Sequence, residues 1–234
     1  MYFGFRLFNL GGSVLLPAMT GFIIIEDQQM VCEMLTEVIC KTMPGFSLAG
    51  HAATSSEGLA LCRRVKPELA LIDVRIPGKD GIETAQILLE ELPETRVIII
   101  SGECSPYNCY RISTSGIHGF IDKTRPITEL CEAVKTVMKG GVWFSPSYEK
   151  MRREFGKNPD AFFKILSVRE LEVLRRVACG DSDDEIARQL NISRRTAETH
   201  RYNITKKLGL SDTFALRKYA IQLGMWCFDQ DSTS

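Results

Sequence analysis

The sequence predicts two folded parts: an α/β doubly wound domain on a five-stranded parallel sheet, then a small all-α domain. Three observations carry this. Short apolar runs alternate with segments of helical periodicity as far as Gly140, the pattern of a parallel sheet crossed by helices. Several of those runs end on an acid, a hydroxyl or an amine. From Ser167 onward the apolar spacing is helical throughout.

In chain order, Phe22-Ile-Ile-Ile25 reads as the first strand and Gln29–Thr42 as a helix with Met30, Cys32, Met34, Leu35, Val38 and Ile39 on its apolar side. Leu48–His51 supplies the second strand, Ser55–Val65 a helix, and Ala70–Asp73 the third strand. Gly81–Leu92 is helical, Val97–Ile100 is the fourth strand, and Cys104 and Cys109 fall in a loop. Gly119–Asp122 is the fifth strand, and Ile127–Lys139 is a closing helix ended by Gly140-Gly141, as helix C-termini prefer.

Composition sets limits on function. The 234 residues suffice for two cores on the prior of roughly 100 to 200 residues per domain. Twenty-nine basic residues balance twenty-nine acidic ones, so any nucleic-acid site must be a local patch. The eight cysteines are scattered with no C-x-x-C pair, and three histidines give little for zinc. Cys32, Cys40, Cys62 and Cys131 read as small packing hydrophobes. Cys104 and Cys109 could be a redox pair, against the plainer reading of two free thiols. Residues 1–21 are apolar, but Gly4, Arg6, Gly11, Gly12 and Pro17 interrupt them, and no run reaches the roughly 18 residues of a membrane span. They read as an N-terminal extension or as sequence preceding a true start at Met19, with a docking segment as the alternative.

The strand ends carry the chemistry. The first strand runs into Glu26-Asp27, the third ends in Asp73, the fourth in Ser101-Gly102, and the fifth leads to Lys123. Ligands of open parallel sheets bind outside these carboxyl ends. Asp27 and Asp73, with Glu26 acting through water, offer the oxygen ligands that Mg2+ takes. A phosphoryl group on Asp73 would be neutralised by that metal and by the Lys123 ammonium, while the Ser101 hydroxyl donates a hydrogen bond to it. This arrangement, from about Phe22 to Gly140, resembles the receiver domain of bacterial response regulators, a flavodoxin-like fold. The resemblance implies phosphotransfer from a sensor histidine kinase to Asp73 and Mg2+ binding by Asp27, Asp73 and the Arg75 backbone carbonyl. It also places Phe120 at the family's aromatic switch position, where the alternative is simply a buried aromatic.

Residues 145–160 are charged and weakly patterned and read as a linker or a solvated helical connector. Then Ser167-x-x-Glu170 and Ser182-x-x-Glu185 fit the capping box, so each opens a helix. The Asn191-Ile-Ser193 turn precedes a third helix, Arg194–Leu208, with Ala197, Ile204 and Leu208 facing inward. Between Ile192 and Ser211 five basic residues stand against one acid, which concentrates positive charge on a helix-turn-helix. The stretch from Leu166 to Leu210 resembles the LuxR-type DNA-binding domain, matching at Glu170, Gly180, Glu185, Ile186, Ser193, Thr196, His200, Asn203, Lys207 and Gly209 among others. Ala197 stands where that family has a larger aliphatic residue. Arg194, Arg195, Thr196, Arg201, Asn203 and Lys206 are candidates for the DNA-facing surface, chiefly for its phosphates, and Glu198, Thr199 and Tyr202 for base edges. His200, a lone histidine on a half-buried helix, reads as structural, with a DNA contact as the alternative.

The expected organisation is therefore an extension (1–21), a receiver domain (22–144), a linker (145–160) and a LuxR-type domain (161–230), together resembling a NarL/FixJ-type response regulator. The resemblance implies a cytoplasmic, non-enzymatic transcription regulator, outside the membrane. Its partners would be DNA, a sensor histidine kinase and a second copy of itself, with RNA polymerase a further candidate. Two other readings exist. One is a DNA-binding regulator independent of phosphorylation whose receiver is an interaction platform. The other is an aspartyl-phosphate hydrolase, although such enzymes carry an acid two residues after the nucleophile, where this chain has Arg75.

Overall fold

Strand runs that are apolar on both faces cannot lie at a sheet surface, and in the computed structural model Phe22, Ile23, Leu69–Ile72 and Val97–Ile99 are fully buried. The structure describes residues 20–159 and 161–225. Its elements begin with β1 (Thr20–Ile25), α1 (Gln29–Thr42), β2 (Phe46–Ala52), α2 (Ser55–Val65) and β3 (Leu69–Asp73). They continue with α3 (Gly81–Glu91), β4 (Arg96–Ser101), α4 (Pro106–Ser113), β5 (Gly119–Asp122), α5 (Ile127–Met138) and β6 (Trp143–Phe144). Then come α6 (Pro146–Lys157), α7 (Phe162–Ile165), α8 (Val168–Cys179), α9 (Asp183–Leu190), α10 (Arg194–Lys207) and α11 (Thr213–Gln222).

The chain forms two compact units. Among the described residues, one comprises 20–103 together with Ser115–Ser145. It contains a parallel sheet in the order β2-β1-β3-β4-β5-β6. Consecutive connections run outward in opposite directions from the adjacent β1 and β3, which is the topological switch point where such sheets bind ligands. A core of Phe22, Ile24, Leu35, Ile39, Leu71, Ile98, Leu130 and Val134 lies between the sheet and the helices α1 and α5.

The sheet has six strands where five were expected. In β6, Trp143 and Phe144 pair in parallel with Gly119 and Phe120. A strand of two residues has no alternation to detect. Cys104 lies in a loop as expected, but Cys109 does not, because Pro106–Ser113 is helical, with Pro106 at its first turn and Ser105 accepting from the Asn108 amide. Cys109 is buried there and burial pushes its thiol up to about 11, which disfavours the thiolate that a redox pair would need. Among the described residues, Cys32, Cys40, Cys62, Cys104, Cys109 and Cys131 are free thiols. The extension expected over residues 1–21 lies outside the described residues save for Thr20 and Gly21, which open β1.

Among the described residues, the second unit comprises Cys104–Thr114 and 146–225 apart from residue 160. The segment read as a linker or connector forms α6, on which Tyr148 is buried. Both capping boxes are present, with Ser167 and Glu170 opening α8 and Ser182 and Glu185 opening α9. Asn191, in the left-handed region with φ of 51°, closes α9 and turns the chain into α10. Phe162, Val173, Leu174, Ile186, Ala197, Ile204 and Leu216 are fully buried in its core, which also takes in Tyr107.

Candidate functional sites

Asp73 ends β3 with its side chain 5 % exposed, and Glu26, directly after β1, is 1 % exposed. Two carboxylates this dry need a cation. Lys123, just beyond β5, places its ammonium 2.5 Å from Glu26 Oε2 and 3.2 Å from Asp73 Oδ1. The Gln28 amide donates to the other Glu26 oxygen at 3.1 Å. Burial raises both carboxyls above the ordinary range, opposed by Lys123 in each case and by the Val74 and Arg75 amides at Asp73. Asp27 is exposed, and one carboxylate oxygen from each of Glu26, Asp27 and Asp73 falls within a 4.8 Å cluster. Three hard oxygen donors around one point, open to water on one side, fit Mg2+.

The remaining predicted residues sit around this cluster. Ser101, 3 % exposed at the end of β4, donates from its hydroxyl to the Glu103 carbonyl at 2.9 Å and accepts from the Glu103 amide at 3.2 Å. Arg75 follows Asp73 by two residues, and its guanidinium pairs with Glu103 at 2.6 Å. Phe120 is fully buried in β5.

Two positioning residues escaped the sequence reading. A Cβ on Gly81 would stand 1.8 Å from the Asp73 carbonyl oxygen, so only glycine lets the start of α3 close the loop behind the acid. Its amide donates to Val74, and Asp80 caps the helix by accepting from Ile82 and Glu83. The Asp80-Gly81 pair ahead of a helical pattern was the available signal. Ser145, fully buried, donates to the Phe120 carbonyl and accepts from the Asp122 amide, fixing the strand end that precedes Lys123.

In the second unit, α10 buries Ala197 and Ile204. The face opposite carries Arg195, Thr199, Tyr202 and Lys206, all exposed, with the Lys206 ammonium 5.0 Å from the Tyr202 ring centre. Thr196 and Asn203 are exposed on one flank. On the other flank, Arg194 bonds Glu198 at 3.0 Å and Asp184 at 3.2 Å, and Arg201 bonds the nearly buried Asp183 at 2.5 Å. Of the nine residues expected to face DNA, Arg201 is thus turned into an intramolecular ion pair, and Glu198 shares its carboxylate with Arg194. His200 is half-buried.

A switch-point acid cluster beside a lysine in one unit, and a basic helix-turn-helix in the other, define the class of phosphorylation-type regulators that bind DNA. Residues 22–135 match the response regulator receiver domain and residues 164–220 match the bacterial regulatory proteins of the luxR family. The chain is 32% identical over 207 residues to the transcriptional regulatory protein MctR of Rhizobium johnstonii, spanning 87% of this chain and 94% of that protein. It is 28% identical over 201 residues to the response regulator protein VraR of Staphylococcus aureus, spanning 86% and 95%. The chain belongs to the response regulators that couple a receiver domain to a LuxR-type DNA-binding domain. Among solved structures, RcsB of Salmonella enterica serovar Typhimurium bound to a promoter in the presence of a phosphomimetic superposes with a TM-score of 0.65 at 22% identity, covering 87% of this chain and 98% of that one, a likeness of fold. Among the described residues no helix is long and apolar enough to cross a membrane.

Proposed function

We propose that Asp73 accepts a phosphoryl group from a sensor histidine kinase and that this modification controls dimerisation and sequence-specific DNA binding through α10. The observation that carries the reading is the three-way meeting of Asp73, Glu26 and Lys123 at the switch point, with Asp27 beside them. An Asp73 oxygen attacks the donor's phosphorus and the bond to the donor nitrogen breaks, leaving the phosphoryl group on the carboxylate. Glu26, Asp27, Asp73 and the Arg75 carbonyl are the groups that would hold Mg2+, which when bound neutralises phosphoryl oxygens. Lys123 stabilises the same charge from the other side, and Ser101 must exchange its Glu103 partner to donate to the phosphoryl group.

On α10, Arg195, Asn203 and Lys206 are assigned to DNA phosphates, with Arg194 and Thr196 beside them. Thr199 and Tyr202 are assigned to base edges, with Glu198 held next to them by Arg194. Arg201 serves to brace α10 against α9. RcsB has been solved as dimers on DNA, which supports the same mode of use for this chain. The test is DNA affinity and assembly state with Mg2+ and beryllofluoride, wild type against Asp73→Asn. Tighter binding and a larger species only in wild type support the reading, and equal behaviour of the two proteins overturns it in favour of phosphorylation-independent binding.

A further inference from the structure

The charge of the helix-turn-helix changes when α9 is counted with α10. Over residues 181–210 six basic residues stand against five acids, and four of those acids, Asp181, Asp183, Asp184 and Glu185, lie at or just before the start of α9. Acids there gain from the unpaired amides of a helix start, but that gain does not dictate their partners. Glu185 stays within its own helix, accepting from the Ser182 amide and hydroxyl at 2.7 Å. Asp181 bonds Arg176 of α8. Asp183 and Asp184 reach across to α10, where they meet Arg201 and Arg194.

The two pairs differ in what they permit. Asp183 is 10 % exposed and Arg201 27 %, and the second Asp183 oxygen has no hydrogen-bond partner among the described residues. Moving Arg201 to a DNA phosphate would strand a buried carboxylate, the strongly destabilising way to break an ion pair, so this pair is a brace. Asp184 and Arg194 are 61 % and 64 % exposed and 3.2 Å apart, so both ions return to water when they separate. Arg194 opens α10 and also bonds Glu198 at 3.0 Å, which places one guanidinium between two carboxylates. In a helix-turn-helix the first helix crosses the DNA backbone and the second enters the groove by its N-terminal residues. The Asp184–Arg194 pair joins the starts of those two helices, where a phosphate arrives.

We propose that Asp184 is a built-in competitor for DNA phosphate, occupying Arg194 in the free protein and giving it up when the duplex docks. The proposal rests on α10 being the DNA face. One anion replaces another at the guanidinium, and the released carboxylate stays beside the phosphates. The contact at Arg194 then delivers no net positive charge, so it releases fewer of the cations condensed on DNA than a lone arginine would. The chain therefore binds DNA more weakly, and with a shallower salt dependence, than the basic run of α10 implies by itself. Asp184 is a positioning residue for Arg194 that holds down sequence-independent binding, the share of affinity that comes from phosphates.

Fluorescence anisotropy of the full chain, with Mg2+ and beryllofluoride, on a labelled duplex of arbitrary sequence at several salt concentrations tests this. Asp184→Asn should tighten binding about three- to tenfold and steepen the slope of log affinity against log salt by about 1, with little change in melting temperature because the pair is exposed. Asp184→Glu, which keeps the charge, should retain the wild-type values. In an Arg194→Gln background the gain from Asp184→Asn should be smaller by about twofold or more, since no ion pair is left to break. Equal gains in the two backgrounds would make the acid a general repulsive charge and overturn the proposal, as would unchanged or weaker binding by Asp184→Asn. Lys206→Ala is the control for α10. Weaker binding by that variant confines any failure to Asp184, whereas binding unchanged in Lys206→Ala, or absent in every protein, removes α10 as the DNA face and the proposal with it.

Discussion

Glu170 joins the start of α8 to the end of the helix proposed to enter DNA. One of its oxygens accepts from the Ser167 amide at 2.7 Å, from the Ser167 hydroxyl at 2.9 Å and from the Lys207 ammonium at 2.8 Å, and the residue is 4 % exposed. Glu170→Ala deletes the acceptor for all three. Loss of a helix-opening cap costs about 1 kcal/mol. Breaking a buried ion pair costs about 3–5 kcal/mol when the survivor stays buried. Lys207 is 44 % exposed and regains water, so the ion-pair part shrinks to about 1–2 kcal/mol. The total for Glu170→Ala is about 2–3 kcal/mol, which in a domain of this size lowers the melting temperature by about 10–20 °C. Glu170→Gln keeps an acceptor for Ser167 and loses only the ion pair, so its cost is about 1–2 kcal/mol.

The pH dependence follows from the same contacts. Burial acts to raise the Glu170 carboxyl, but the Lys207 ammonium and the Ser167 amide and hydroxyl outweigh it and hold the group below the ordinary glutamate range. A carboxyl depressed in the folded state stabilises above its unfolded value, about 4.3, and that contribution disappears as pH falls through the folded value. Thermal melts of the full chain followed by circular dichroism at pH 7 and near pH 3.5 should show a gap between wild type and Glu170→Ala that narrows in acid. A gap under about 1 kcal/mol at pH 7, or one that widens in acid, would refute the reasoning.

Gly81→Ala should displace the Asp73 backbone, destabilise the receiver by about 1–3 kcal/mol and slow adduct formation in the beryllofluoride assay, whereas Gly102→Ala, which meets nothing within 4 Å, should be mild by both measures. Lys206→Ala should reduce the slope of log affinity against log salt by about 1, and Arg201→Ala, already paired with Asp183, should leave that slope unchanged and lower melting temperature instead. His118 accepts from the Val97 amide, and burial, with Arg96 second, lowers its imidazole below the ordinary value. Protonation is thus favoured in the unfolded chain, so receiver stability should fall as pH drops below about 6.5, and urea titrations of His118→Gln should show a flatter profile there.

Most of the receiver was legible because its signals are local. The strand runs carry β-branched residues bounded by turns, and each strand-end residue is fixed once its strand is placed. The features that were missed depend on tertiary contacts. β6 exists because Gly119 and Phe120 offer an open edge, not because Trp143-Phe144 has strand periodicity. Gly81 and Ser145 matter through backbone groups far along the chain. The helix α4 had its start signal in Ser105-Pro106, yet its apolar residues face Phe162 and Phe163, and no periodicity within eight residues reveals a partner fifty positions away. On α10 the basic run was plain, but the acids of α9 that occupy Arg194 and Arg201 lie outside the stretch whose charges were counted.

Intact mass, with peptide mapping, of the full chain incubated with Mg2+ and a small phosphoramidate donor tests the central claim most directly. The structure predicts the gain of one phosphoryl group on the peptide that carries Asp73, abolished in Asp73→Asn and sharply slowed in Lys123→Met. A phosphoryl group found elsewhere, or no gain in protein shown to be folded, would contradict Asp73 as the switch.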